Sequence, residues 1–153
     1  MQNINILNKS FISRFKNSHG GTSKLEDNVH DYLILNIDNN TIRQHKDQLY
    51  PYFCDFYLPK YNLYLEINGM WTHNDHPYDE NNIYDIETLN LWKQKALKSA
   101  YYKSAIQTWT IDDVNKRTTA KKNKLNYLEI FSNDLNIIHE KINQYINNEY
   151  KNI

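Results

Sequence analysis

The stretch that decides the fold is CDFYLPKYNLYLEINGMWTH, residues 54–73. It contains two short runs rich in aromatic and aliphatic side chains, a composition typical of β-strands. The proline, lysine, tyrosine and asparagine at 59–62 separate the runs and are typical of a tight connection. We therefore expect an antiparallel hairpin with strands at 51–58 and 62–67.

Two acidic residues interrupt these strands. Asp55 lies between apolar neighbours, where a buried carboxylate is costly unless it has a partner or a metal. Glu66 alternates with Leu65 and Ile67, so it either contributes to a site or faces solvent on the polar side of its strand. Two acids on paired strands can share one divalent cation, and Mg²⁺ is bound through one or two carboxylates while it keeps water and substrate oxygens. The pattern predicts Mg²⁺, or alternatively Mn²⁺, held by Asp55 and Glu66 for phosphodiester hydrolysis.

The rest of the chain predicts helices around this hairpin. Ser23 is a good N-cap, and the apolar spacing after it predicts a helix at 23–36 with Glu26 in its opening turn. Together the elements indicate an α/β domain with a mixed central β-sheet flanked by helices. The other predicted elements are a strand at 41–46, a polar loop at 70–82, a helix at 85–103, a strand at 105–109, a helix opened by Thr110, a strand at 125–131 and a terminal helix capped by Ser132.

Length and composition limit the function classes. The 153 residues suit one compact domain, here 22–153, preceded by an arm at 1–21 that ends in paired glycines. Eighteen basic and eighteen acidic side chains cancel, so DNA binding would require local patches. The single cysteine, Cys54, excludes an internal disulfide and fits a buried strand position in a reducing compartment. With no apolar run of membrane length, we expect no membrane partner and a cytoplasmic protein of a phage or its bacterial host.

The order of these residues resembles a known nuclease family. Asp55, the hairpin turn and then Glu66-Ile67-Asn68-Gly69 with His73 after it resemble the core of Vsr-like nucleases, a branch of the PD-(D/E)XK superfamily. That branch includes very-short-patch-repair endonucleases and phage homing endonucleases named for an E-D-x-H-D pattern. The resemblance covers residues 22–131 and implies a restriction-endonuclease-like fold. It also implies that Glu26, Asp55, Glu66 and His73 are catalytic, with metal bound at the strand acids.

One position departs from the superfamily pattern. Two residues after Glu66, where the superfamily pattern has a lysine, this sequence has Asn68. Its amide cannot act as a base, and asparagine is also common in turns. Either His73 acts as the general base, as the resemblance implies, or the site is impaired. The acid that would orient His73 stays open, because Asp75, Asp79 and Asp85 all lie near it in sequence. A second histidine, His76, is a weaker candidate because it precedes a proline in the loop.

Contacts to DNA are predicted from cations near the hairpin. The helix after Thr110 is basic, and Arg117, Lys121 and Lys124 fall on one predicted face suited to phosphates; a solvated surface helix is the equal alternative. Trp71 is either a wedge between bases or a loop anchor. The predicted DNA-binding residues are Arg43, Lys116, Arg117, Lys121 and Lys124.

The sequence therefore predicts a Mg²⁺-dependent endodeoxyribonuclease acting on double-stranded DNA, of the phage homing or nicking type. Two alternatives stay open: a catalytically inactive DNA-binding module with the same fold, and a mismatch-repair or RNA-directed nuclease. Because no separate DNA-binding domain is visible, recognition of a long site would need a homodimer, the arm at 1–21 or another protein.

Overall fold

The computed structural model describes residues 23–70 and 72–150, apart from the side chain of Tyr150. The arm predicted at 1–21 and the side chain of Trp71 lie outside the described residues. Within the described part, none of the helices combines the length and the apolar character that a bilayer crossing requires.

The described residues form a mixed α/β fold with a four-stranded sheet. Short 3₁₀ and π-helical turns at Pro59–Tyr61 and Thr108–Asp112 connect some of its elements. The elements in chain order are α1 (Lys24–Asn36), β1 (Ile42–His45), β2 (Cys54–Leu58), β3 (Leu63–Asn68), α2 (Ile83–Ala96), α3 (Ala100–Gln107), α4 (Asp113–Lys122), β4 (Asn126–Phe131) and α5 (Leu135–Tyr150).

The strands lie in the order β1-β2-β3-β4. β1, β2 and β3 are antiparallel neighbours, whereas β3 and β4 run parallel in a register that places Glu66 beside Glu129. A parallel pair needs a long crossover, and here it contains α2, α3 and α4. β3 is thus an interior strand, and all six of its residues are buried.

Side chains alternate across the sheet, so each face has its own packing. On one face Leu65 and Ile67 pack with Val29 and Leu33 of α1, and with three isoleucines of α5, at 138, 142 and 146. On the other face Tyr64 packs with Tyr50, Cys54 and Ala120. The centre of the first face is apolar, with polar contacts such as that between Arg43 and Asp27 at its border, whereas the second carries hydroxyl and carboxyl groups. The polar face is where a site can form.

The predicted hairpin and first helix are confirmed. β2 and β3 pair antiparallel, and Asn62 closes their connection in the left-handed conformation, with φ 47°, which asparagine tolerates. Ser23 caps α1, because its Oγ accepts a hydrogen bond from the backbone N–H of Glu26 at 3.1 Å. The sole cysteine, Cys54, is fully buried in β2, also as predicted.

The predicted strand at 105–109 is wrong, and the predicted helix at 85–103 is two helices. Residues 100–107 form α3. Ala105 and Trp109 are four positions apart, so they lie on the same helical face, and both are fully buried. This burial outweighs the strand preference of the local β-branched and aromatic residues. The break between α2 and α3 falls at Ser99, whose backbone is extended. Ser favours such positions over helix interiors.

Two predicted helix caps are also wrong. Thr110 lies inside a helical turn, where its Oγ1 donates to the carbonyl of Ile106 at 2.7 Å, and α4 begins later, at Asp113. The terminal helix is capped by Asp134, whose Oδ1 accepts from the N–H groups of Asn136 and Ile137. Ser132 instead supports this cap by accepting from the N–H of Asp134.

Candidate active site

The two strand acids lie on neighbouring strands. β2 and β3 pair Phe56 with Leu65, which is the last pair of their register before Asp55 and Glu66. Asp55 Oδ2 also accepts a hydrogen bond of 2.8 Å from the backbone N–H of Ile67. The Asp55 carboxyl is therefore bound at the residue that follows Glu66, and the charge of Glu66 acts on it, at the open end of the hairpin.

This end of the hairpin has an excess of negative charge. Burial, together with the charges of Glu66 and Glu26, raises the pKa of Asp55 well above its ordinary value. Burial also raises the pKa of Glu26; Arg43 opposes the rise and Glu66 adds to it. Glu26, half-buried in the first turn of α1, thus acts electrostatically on both strand acids. Lys116 and Arg43 lower the pKa of Asp55 and of Glu26 only in part, so a further cation beside these two acids is favoured.

Glu66 is almost completely buried, and two side chains bind the same oxygen of its carboxylate. The hydroxyl of Tyr50, itself fully buried, donates to Glu66 Oε1 at 2.6 Å. Lys116 Nζ lies 3.2 Å from the same atom. Although burial works in the opposite direction, the charges of Glu66 and Asp55 raise the pKa of Lys116, so its ammonium is retained. These contacts hold Oε1, and they leave Oε2 as the oxygen with which Glu66 can reach a metal.

The next residue of α4 serves the neighbouring strand. Arg117 binds Glu129 through Nε at 2.5 Å and through Nη2 at 2.9 Å, a two-pronged carboxylate contact. Asn68 joins this contact because its Nδ2 donates to Glu129 Oε2 at 2.7 Å. The residue found where the superfamily pattern has a lysine thus links β3 to β4. Two consecutive cations of α4 therefore fix the helix to two adjacent strands.

His73 is held by an acid that the sequence reasoning missed. His73 Nδ1 lies 2.5 Å from Oδ2 of Asp113, the first residue of α4, and the side chain of Asp113 is only 4% exposed. None of the three acids considered from the sequence has this contact. Asp75 and Asp85 bind His76 instead. The backbone N–H of Asp79 donates a hydrogen bond to Asp85 Oδ2.

His76 anchors the loop between β3 and α2. Its Nε2 lies 2.6 Å from Oδ1 of the buried Asp85, and its carbonyl accepts from Trp109 Nε1 at 2.8 Å. The hydrogen bond to Asp85, opposed by burial and assisted by Asp75, raises the pKa of His76. Tyr78 adds an edge contact to the Trp109 ring, with centroids 5.0 Å apart. His76 therefore holds the segment that presents His73, and its contacts are those of an anchor.

A cavity of about 570 Å³ opens beside this dyad of His73 and Asp113. Lys116 also lines it, and the same side chain reaches Glu66, so it connects the cavity to the strand acids. Aromatic side chains from the segment before β2 and polar side chains from the start of α4 complete the lining. Those further lining residues are Lys46, Pro51, Tyr52, Phe53, Thr72, Thr108, Asp112 and Asn115.

The predicted DNA-binding residues separate into two groups. Lys116 and Arg117 bind glutamates, as described, and Arg43 Nη2 contacts Asp27 at 2.7 Å. Lys121 and Lys124 are exposed. However, α4 ends at Lys122 and Lys124 has a left-handed backbone, with φ 53°, so Lys124 does not continue the helical face predicted for it. Phosphate contact by these cations stays a prediction.

The residues at the strand acids fit a hard divalent cation. Carboxylate oxygens are the donors that Mg²⁺ and Mn²⁺ prefer, and the raised pKa of Asp55 reflects its burial first and then the neighbouring charges of Glu66 and Glu26. Among the described residues, no group of three or more His, Cys, Asp or Glu side chains is arranged to hold a metal ion. The donor set thus fits an ion bound through one or two carboxylates that completes its coordination with water and substrate, and it does not fit a closed protein cage.

The chain was also compared with known proteins, and no protein-family model, curated protein or solved structure matches it.

Proposed function

We propose that this protein is a metal-dependent DNA endonuclease that hydrolyses phosphodiester bonds, with a restriction-endonuclease-like fold of the Vsr-like type. One observation carries the proposal: Asp55 and Glu66 lie on paired strands, the charges of Glu66 and Glu26 both act on Asp55, and a histidine held by a buried acid lines the adjoining cavity. Asp55 and Glu66 are the residues that would hold Mg²⁺ or Mn²⁺. The bound ion would supply Lewis-acid stabilisation of the phosphoryl oxygens and acidify a water molecule.

His73 is the candidate general base. Asp113 can accept a hydrogen bond from Nδ1–H of His73, and in that tautomer Nε2 is the nitrogen that can take a proton from water. The buried carboxylate of Asp113 also stabilises the imidazolium that forms after the transfer. A general base must present its proton-accepting nitrogen to the water molecule. Contact with the carboxylate of Asp113 orients the imidazole of His73 for this purpose.

Lys116 supplies a positive charge that the sequence motif lacks. Its ammonium lies at Glu66 and lines the cavity beside His73, so it can stabilise negative charge that develops on a phosphate bound there. Asn68 was the chief argument for an inactive module, since it replaces the expected lysine. The engagement of Asn68 with Glu129 gives that residue a structural role, and Lys116 brings a lysine to the acids from α4. Both observations favour the enzyme over the inactive module.

The test is magnesium-dependent nicking of supercoiled plasmid by the purified full-length chain. We expect nicking with Mg²⁺ or Mn²⁺ and none with chelator. Asp55→Asn should abolish cutting, whereas Asp31→Asn, which changes an exposed acid of α1, should leave it intact. Absence of nicking with either metal would refute the proposal in favour of the inactive module. Cleavage of mismatched and of intact duplex, compared in parallel, separates a homing or nicking enzyme from a mismatch-repair enzyme.

A further inference from the structure

The cavity beside His73 has features that the hydrolytic chemistry does not require. Its volume of about 570 Å³ lies within the range of sites that enclose small organic groups. Proton transfer needs only a water molecule and a phosphate, which occupy far less space. The additional room is bounded by Tyr52 and Phe53, two aromatic residues in succession.

Phe53 presents its ring on the surface at the edge of this cavity. The residue is 60% exposed although it adjoins β2, and its neighbour Cys54 is fully buried. Lys46 Nζ lies 5.1 Å from the centroid of the Phe53 ring, a cation–π distance, and Lys46 also lines the cavity. Lys46 covers one face of the exposed Phe53 ring, so a base would stack on the other face, as bases do on aromatic side chains in proteins that bind single strands.

The cavity also offers hydrogen-bonding groups. Thr108, Asp112 and Asn115 line it from the turn before α4 and from α4 itself. Amide, hydroxyl and carboxylate groups can pair with the donors and acceptors at the edge of a base. The ammonium groups of Lys46 and Lys116 provide positive charge for the adjoining phosphates. The cavity thus combines a ring for stacking, a polar wall and two cations, which matches one nucleotide.

We propose that this cavity takes one nucleobase of a DNA strand, turned out of its stack, next to the bond to be cut. The position of the cut bond rests on the proposed nuclease function, whereas binding of the base does not. The preferred substrate is then DNA with an unpaired base at this place, because a paired duplex must first lose stacking and pairing to fill the cavity.

The test is a binding measurement with the full-length protein in chelator, so that no cutting occurs. The probes are a short fluorescein-labelled oligothymidine and an abasic strand of the same length, which has the phosphates without the bases. Phe53→Ala should weaken oligothymidine binding about ten-fold or more, the size expected for loss of one base–aromatic stack. It should leave binding of the abasic strand unchanged. Leu49→Ala is the matched control, because Leu49 is an exposed apolar residue, at 54%, outside the cavity.

Three results would overturn the proposal: equal binding of the two strands by the unaltered protein, equal loss for both strands in Phe53→Ala, or an equal effect of Leu49→Ala. The outcome is independent of the nicking assay. If plasmid is nicked but the protein binds the oligothymidine and the abasic strand equally, only the cavity proposal fails. If the protein prefers the oligothymidine to the abasic strand but no metal supports nicking, the nuclease proposal fails and the cavity remains a site for unpaired DNA.

Discussion

Replacing Lys116 with methionine tests the electrostatic account of the site most directly. Methionine keeps much of the length and the apolar stem of lysine and removes only the ammonium. Nζ of Lys116 lies 3.2 Å from Oε1 of Glu66, whose side chain is 3% exposed. At an effective dielectric constant of about 20, this separation gives an attraction of about 5 kcal/mol. The desolvation of the ammonium offsets part of it, so we expect the free energy of unfolding to fall by about 2–4 kcal/mol.

The loss caused by Lys116→Met should depend on pH. The pKa of Asp55 is raised in the folded protein, chiefly by burial and then by Glu66 and Glu26, and Lys116 opposes the rise. Without Lys116 this pKa moves further upward. An acid with a raised folded-state pKa destabilises the fold above that pKa, and the penalty disappears as pH falls below the unfolded value. The deficit of the variant should therefore be largest near neutral pH and should shrink in acid.

Urea unfolding in chelator, followed by circular dichroism across this pH range, measures the deficit. Lys121→Met is the matched control, because Lys121 is an exposed lysine of the same helix, and its effect should stay within about 0.5 kcal/mol. A deficit that is absent, or that is constant from neutral to acid pH, would show that Lys116 does not neutralise the carboxyl cluster. If the proposed metal site is correct, saturating Mg²⁺ should also reduce the deficit.

Three further predictions concern single side chains of the candidate site. Asp55→Asn should stabilise the metal-free protein by about 1–2 kcal/mol at neutral pH, because asparagine keeps the acceptor for Ile67 N–H and removes the penalised charge; a melting temperature in chelator that does not rise contradicts this. Tyr50→Phe should lower the free energy of unfolding by about 1.5–3 kcal/mol in urea, since it deletes a hydroxyl that binds a buried carboxylate, and an unchanged midpoint would count against that role. Asp113→Asn should slow plasmid nicking about 100-fold, because an amide lacks the charge that stabilises the imidazolium of His73 and its N–H₂ can hold the ring in the other tautomer; normal nicking rates would exclude His73–Asp113 as a working dyad.

The parts of the fold that depend on neighbouring residues were predictable. The hairpin follows from two strand-like runs and a short turn, so Asp55 and Glu66 could be assigned to adjacent strands before any coordinates were known. The position of Glu26 in the first turn of a helix could be predicted because Ser23, a good N-cap, precedes it. By contrast, the helical state of 105–109 depends on tertiary burial of Trp109, which local preference opposes.

The partners of these acids were not predictable in the same way. Asp113 is 40 residues from His73, and it meets the histidine only because the crossover brings α4 over the sheet. In sequence the acids and bases of α4 resemble an ordinary helix start followed by a solvated face. One signal was present: β3 and β4 both contain Leu-Glu-Ile, at 65–67 and 128–130. A buried glutamate and a partly buried one on adjacent strands favour two cations beside them, and Lys116 and Arg117 are those cations.

The parallel pairing of β3 and β4 has a consequence for the order of folding. The first three strands meet through short-range contacts, but the counter-charges for Glu66 and Glu129 arrive only when the crossover closes. Closing a long loop is slow compared with forming a hairpin. A chain emerging from the ribosome therefore carries Asp55 and Glu66 without their ammonium until residue 116 has been synthesised. Maturation of the site and completion of the fold are thus expected to be the same late event.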